Sequence, residues 1–203
     1  MSYTIVGTPR SRAFRVIWML EELGQPYSID PVAPASPEAK AVHPSGKIPA
    51  LSVDGNVLMD SMAICNFLAD RHGGCTHPPG SPERSEQDAL TYTTIDEIES
   101  PLWTHAKHSF ALPEALRVEA AKTHLEGEFR RGLESLEQRL GDGPYLMGAR
   151  FTVPDILLGH CGMWAKGLLQ WEIPSDRLKS YFRDLRDRPA YGRAQEAAAK
   201  AMP

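Results

Sequence analysis

The sequence predicts an α+β chain, a βαβ-α-ββα domain followed by an all-α helical bundle. Three observations carry this. Short β-rich runs alternate with helix-period segments as far as residue 72. Residues 73–82, GGCTHPPGSP, hold eight Gly, Pro, Ser or Thr in ten positions, which blocks both helix and strand and marks a boundary. Beyond it nothing reads as strand. The expected domains are residues 1–74, a linker at 75–82 and a helical domain at 83–203.

Residues 3–7 (YTIVG) form the first strand, short and rich in β-formers. Residues 11–23 carry Phe14, Ile17, Leu20 and Leu23 at helical spacing, and Gly24 stands where a helix stop belongs. Strand character resumes over 27–32, completing a βαβ unit whose helix is long enough for a parallel crossover. Ser36 and Pro37 open a short helix. Residues 50–53 and 57–59 flank Asp54-Gly55-Asn56, a hairpin turn. Asp60 and Ser61 introduce a helix through His72, with Ile64, Phe67 and Leu68 on one face.

After the boundary, residues 82–110, 113–140, 152–171 and 176–188 read as helices. The second repeats Leu125, Phe129, Leu133, Leu136 and Leu140 at steps of four, four, three and four. Thr152-Val153-Pro154-Asp155 is a capping box with an Asp in the reciprocal position, and Phe151 with Ile156 is suited to a hydrophobic staple.

At 203 residues the chain is long enough to bury roughly 70% of its unfolded surface without metals or disulfides. A formal net charge of -4 argues against nucleic-acid binding, which needs a concentrated basic face. No run approaches the roughly 18 apolar residues of a membrane span, and the start has no signal-peptide pattern, so a cytoplasmic protein is expected. Cys65, Cys75 and Cys161 form no C-x-x-C, which indicates neither a disulfide framework nor a dithiol pair.

Three short constellations bear chemistry. In Gly7-Thr8-Pro9-Arg10-Ser11-Arg12, Ser11 stands at a helix start: it is either a structural cap or a hydroxyl donating to an anion, with Arg10, Arg12 and Arg15 close by. In His43-Pro44-Ser45-Gly46-Lys47-Ile48-Pro49-Ala50-Leu51, Pro49 is either an ordinary trans proline or a cis one that presents the Ile48 main chain to an extended peptide. Lys47 is either a solvated charge or the partner of a carboxylate. Asp60-Ser61 is either a cap or an amino-acid head-group site, with Ser61 and backbone N–H groups for the carboxylate and Asp60 for the ammonium.

Together these resemble the cytosolic glutathione transferases of the serine type, over nearly the whole chain. HPSGKIPAL is similar to that family's N-P-x-G-K-V-P-A-L, MDSMAI to its E/D-S-x-A-I, and RFTVPDILL to the capping motif of its second domain; Arg188-Pro189-Ala190 also fits a common family pattern. The resemblance implies a thioredoxin-like first domain and an enzyme that conjugates the glutathione thiolate to small hydrophobic electrophiles, as in detoxification. Glutathione is then a co-substrate, no metal is needed, and a homodimer is expected. It implies Ser11 as the catalytic hydroxyl, Ile48 and Pro49 for the cysteinyl backbone, Asp60 and Ser61 for the γ-glutamyl end, and Lys47 for the glycyl carboxylate. Pro9, Trp103, Phe110 and Trp164 become candidates for the electrophile site, expected between the domains, with core packing as the other reading of Trp164.

Departures narrow this. The zeta-type pattern S-S-C-S-W-R-V meets RSRAFRV here, with Arg12 at the cysteine, which weakens an isomerase reading; the beta-type cysteine is Arg10. The alternatives are a glutathione-dependent peroxidase or isomerase on the same site, or a noncatalytic binding module. His72, Cys75 and His77 lack a fourth ligand nearby, and His105 and His108 lack a carboxylate partner, so neither group reads as a metal site.

Overall fold

β1 (Tyr3–Val6) lies inside a four-stranded mixed sheet, parallel to β2 (Tyr27–Asp30) and antiparallel to β3 (Ala50–Val53), which pairs in turn with β4 (Asn56–Met59). The computed structural model from which this is read describes residues 2–141 and 143–202; Met1, Asp142 and Pro203 lie outside the described residues. Ile5 opposes Leu51 and Tyr3 opposes Val53, so these four side chains share one face of the sheet, while Val6 and Ala50 share the other. On the second face, Ala39 and Val42 of α2 (Pro37–Val42) join a cluster with Val6, Val32, Ile48 and Ala50. On the first, the Tyr3 hydroxyl meets His72 Nε2 at 2.8 Å, at the end of α3 (Ser61–His72).

α1 (Ala13–Glu22) is buried at every position from Ala13 to Leu20, because it packs against β1, α3 and the C-terminal helix α9 (Pro189–Lys200) at once. That last contact departs from the expected division of the chain. Two compact units form, one of residues up to Pro79 together with those from Arg186, the other of Gly80–Leu185. The C-terminal segment therefore belongs with the first unit rather than with a helical domain at 83–203. Tyr191 sets its ring edge-on against Phe14 and Trp18, 5.7 and 5.1 Å between centroids. Arg188 grips the Glu22 carboxylate through Nε and Nη2 at 2.6 and 2.7 Å, and Arg193 bonds Glu21 at 2.8 Å. Linear periodicity carries no sign of such long-range pairs. The helix itself was not among those expected, although Pro189 in its first turn and an alanine-rich run are its local signals.

The second unit is helical throughout its regular elements. α4 (Pro82–Thr93) leads through a π-helical turn, Thr94–Glu99, into α5 (Ser100–Ala106) and a second such turn, Lys107–Ala111. Expected as one helix, this stretch is interrupted where Pro101 has no N–H to offer the Glu97 carbonyl four residues back. Gly132 of α6 (Leu125–Arg139) comes close to that carbonyl: a β-carbon at 132 would lie 2.7 Å from Glu97 O. The helix expected over 113–140 starts only at Leu125, where its apolar repeat starts; before it lie single 3-10 turns at Glu114–Leu116 and Glu119–Lys122. α7 (Val153–Trp164) passes into a third π-helical turn, Ala165–Leu169, which ends at Gln170 in the left-handed region, and α8 (Asp176–Arg186) stops before the extended Arg188. Among the described residues no helix is long and apolar enough to cross a membrane.

Candidate functional site

The first unit gathers its polar groups where β1 gives way to α1. Gly7 leaves the strand at φ +147°, and a β-carbon there would lie 3.1 Å from Ile48 Cβ and 3.4 Å from Pro49 Cα. Glycine thus permits the strand end to sit directly against the Ile48–Pro49 peptide, which is cis. Ile48 precedes β3, so its N–H and C=O fall outside the ladder that begins at Ala50. Pro49 is buried, Lys47 exposed, and Pro9 buried in the turn that follows Gly7.

Ser11 sits one residue before the N-cap, which is Arg12. Its hydroxyl accepts from the Ala13 N–H at 3.1 Å and donates to the Thr8 carbonyl at 2.7 Å. The structural reading of Ser11 is the one these bonds express: its oxygen takes an N–H at the start of α1, and its single hydrogen bridges back across the turn. The three neighbouring arginines separate. Arg10 is exposed and Arg12 half-buried, whereas Arg15 is only 1% exposed and donates from Nη1 to Ser61 Oγ at 3.2 Å.

Asp60 caps α3 with φ +69° and ψ 124°, a positive-φ conformation outside the left-handed helical region. Its Oδ1 accepts from the N–H groups of Met62 and Ala63 at 2.9 and 3.2 Å. Ser61, 3% exposed, opens the helix. Expected to offer several backbone donors to an anion, the helix start keeps fewer, because Asp60 already occupies two. Burial pushes the Cys65 thiol up to about 12, against Arg15, which draws it down, and with Asp60, which raises it. Cys65 Sγ donates to the Arg15 carbonyl at 3.6 Å, so this thiol is a packing group.

In the second unit, Trp103 and Trp164 come together, ring centroids 6.1 Å apart and tilted by 50°. The His160 ring stands edge-on to Trp164 at 6.1 Å. Phe110 lies in the turn Lys107–Ala111 with half its surface exposed. His105 packs edge-on against Trp171, and His108 Nδ1 accepts from the Val118 N–H at 3.2 Å. Burial lowers the titration of His105, with Lys122 acting in the same sense.

Residues 10–71 match the family described as Glutathione S-transferase, N-terminal domain, and residues 119–191 the Glutathione S-transferase, C-terminal domain. A maleylacetoacetate isomerase of Rhizobium meliloti is 30% identical over 158 residues, covering 73% of this chain and 74% of that protein. The chain belongs to the glutathione S-transferase family. Glutathione S-transferase 3 of Schizosaccharomyces pombe is 27% identical, covering 89% and 81% of the two chains. A glutathione transferase of Phanerochaete chrysosporium, solved in complex with oxidized glutathione, superposes with a TM-score of 0.84 at 26% identity, covering 98% of this chain and 97% of that one. Membership of the glutathione S-transferase family accounts for the thioredoxin-like sheet and the helical second unit. It does not by itself explain Arg15, whose bond to Ser61 escaped sequence reading. The one available signal was a lone charge inside AFRVIWML, a run that is buried from end to end.

Proposed function

We propose that the protein binds glutathione on its first unit and joins the glutathione sulfur to small hydrophobic electrophiles. The observation that carries this reading is convergence: Gly7 seats the Ser11 turn against Ile48–Pro49, while Arg15 reaches from the same helix to Ser61. The Ile48 main chain pairs with the cysteinyl residue as an added strand would. Asp60 Oδ2, which receives no donor among the described residues, takes the γ-glutamyl ammonium. The Ser61 hydroxyl takes the γ-glutamyl carboxylate and Lys47 the glycyl carboxylate. The glutathione-bound relative supports this assignment of substrate class.

A thiol with a reference pKa near 8.5 is only a few per cent ionised at pH 7, and each unit of lowering is worth about 1.4 kcal/mol. Ser11 supplies part of this by turning its hydrogen from the Thr8 carbonyl to the sulfur while its oxygen keeps the Ala13 N–H. The thiolate then attacks an electrophilic carbon, and the C–S bond forms as a halide leaves or as the electron pair of a conjugated double bond moves toward its carbonyl. We extend the reading to a homodimer in the cytoplasm, which sedimentation tests for assembly. Ser11→Ala, with the thiolate absorbance of bound glutathione titrated, tests activation: the apparent pKa is expected to rise by about one unit, one lost hydrogen bond to an anion. An unchanged value removes Ser11 from the mechanism. Isomerisation is the second reading, favoured by the isomerase relative; product assays with a cis-dienone acid separate it from conjugation of a halogenated aromatic.

A further inference from the structure

The sheet of the first unit ends at β2, which pairs with β1 on one side and, among the described residues, with no strand on the other. The Gly7 N–H donates to the Asp30 carbonyl at 2.8 Å. In this parallel register the main-chain groups of Ser28 and Asp30 therefore point inward to β1, and those of Tyr27 and Ile29 point outward. The outward N–H and C=O groups have no main-chain partner among the described residues. The side chains of Tyr27 and Ile29 share a face with Tyr3 and Ile5, which are buried, yet both are only half-buried themselves. A groove of about 500 Å³ lies beside them, walled by Pro26, Tyr27 and Ile29 on the sheet and by Ala197, Lys200 and Ala201 at the end of α9.

The charges of this groove are uneven. Glu21 on its wall is already matched, because Arg193 Nε donates to Oε2 and the Tyr27 hydroxyl to Oε1, both at 2.8 Å. Lys200 has no carboxylate partner among the described residues, so its positive charge stands unmatched beside apolar walls. Pro26 and Pro31 bracket the strand, and neither supplies an N–H, so the open edge is short. Such an edge suits the end of a chain better than another whole sheet. We propose that the β2 edge docks the C-terminal end of a partner polypeptide, extended as a fifth strand, with an apolar side chain in the groove and the terminal carboxylate on Lys200. Main-chain bonds to Tyr27 and Ile29 hold such a strand, the apolar wall selects its side chain, and Lys200 selects its end. The edge shares no residue with the glutathione site, and the proposal does not depend on that reading.

The probe is a library of octapeptides with free C-terminal carboxylates, tethered through their N-termini and screened against the full chain beside the same library amidated at the C-terminus. Enrichment of sequences with apolar residues at alternate positions is expected. The best of them, measured in solution, should bind about fivefold more weakly when amidated, the effect of one exposed ion pair. Lys200→Gln should weaken the carboxylate peptide by the same factor and leave the amidated one unchanged, since both changes remove one contact. Strand addition also has its own signature in amide hydrogen exchange. Peptide should raise the protection of the Tyr27 and Ile29 amides and leave Ser28 and Asp30, already in the ladder, as they were. Ile29→Pro removes an outward N–H without touching the ladder and should weaken binding about fivefold. Should that variant fail to fold by circular dichroism, exchange in the unsubstituted protein decides. No enrichment, equal binding of free and amidated peptides, or unchanged protection at Tyr27 and Ile29 overturns the proposal. Protection of these two amides before any peptide is added overturns it as well, the edge then being covered by a second copy of this chain.

Discussion

Two aspartates near helix starts, one in each unit, bring out the difference between a structural cap and a binding group. Asp155 of α7 is fully buried, and both its oxygens are engaged: Oδ1 accepts from the Leu146 N–H and the Tyr181 hydroxyl at 2.9 and 2.8 Å, Oδ2 from the Thr152 N–H and hydroxyl at 2.8 and 3.2 Å. Asp60 of α3 is exposed, and only Oδ1 is engaged, by two N–H groups. Four donors saturate the first carboxylate and leave it nothing to offer a ligand. The second caps its helix with one oxygen, and its other oxygen receives no donor among the described residues. The same residue type at the same kind of place thus serves folding in one unit and, on the proposed reading, substrate binding in the other.

Substituting Asp155 should produce the largest effect. Asp155→Ala strands the Leu146 N–H, the Thr152 N–H and the Tyr181 hydroxyl in a dry interior, and a loss of about 3–5 kcal/mol is expected. Urea denaturation checks it. A loss under about 1 kcal/mol would mean that this network is dispensable and that the contrast with Asp60 is false.

The pH dependence of the same group comes next. Burial pushes the Asp155 carboxyl up to about 6 against four hydrogen bonds that lower it. The unfolded carboxyl titrates near 3.9, so between about pH 4 and 6 the folded chain holds more protons than the unfolded one. Stability from this group is fully present below about pH 4 and is lost as pH rises through 6, by about 2–3 kcal/mol. Denaturation midpoints measured from pH 4 to 7 should therefore decline more steeply in the unsubstituted protein than in Asp155→Asn, which cannot titrate. Parallel profiles would show that the four donors, rather than burial, govern the group.

The two aspartates also mark how far sequence alone reaches. The Asp155 capping box was legible because Thr152-Val153-Pro154-Asp155 is a local pattern with one reading at that spacing. The sheet, the hairpin and the start of α3 were legible for the same reason, since short β-rich runs, Asp54-Gly55-Asn56 and a cap residue act over a few positions. What stayed hidden joins distant residues. Arg15 with Ser61, Arg188 with Glu22, and Tyr181 with Asp155 are 46, 166 and 26 positions apart. The π-helical turns were hidden for another reason: a helix that widens around Pro101 keeps its apolar residues near one face, so its periodicity barely changes.

The finest separation of the two roles is within Asp60 itself. Asparagine keeps a side-chain oxygen for the Met62 and Ala63 N–H groups, whereas alanine does not. Asp60→Ala is expected to cost about 1–2 kcal/mol of stability, and Asp60→Asn less than about 0.5 kcal/mol. Affinity should divide differently. On the proposed reading both variants lose the negative charge for the γ-glutamyl ammonium, so both should bind glutathione about tenfold more weakly, one charge-assisted contact in each case. Thermal denaturation and calorimetry on the pair then read the cap and the binding group independently. If Asp60→Asn binds glutathione as the unsubstituted protein does, Asp60 is a cap alone, and the ammonium must find its counter-charge elsewhere.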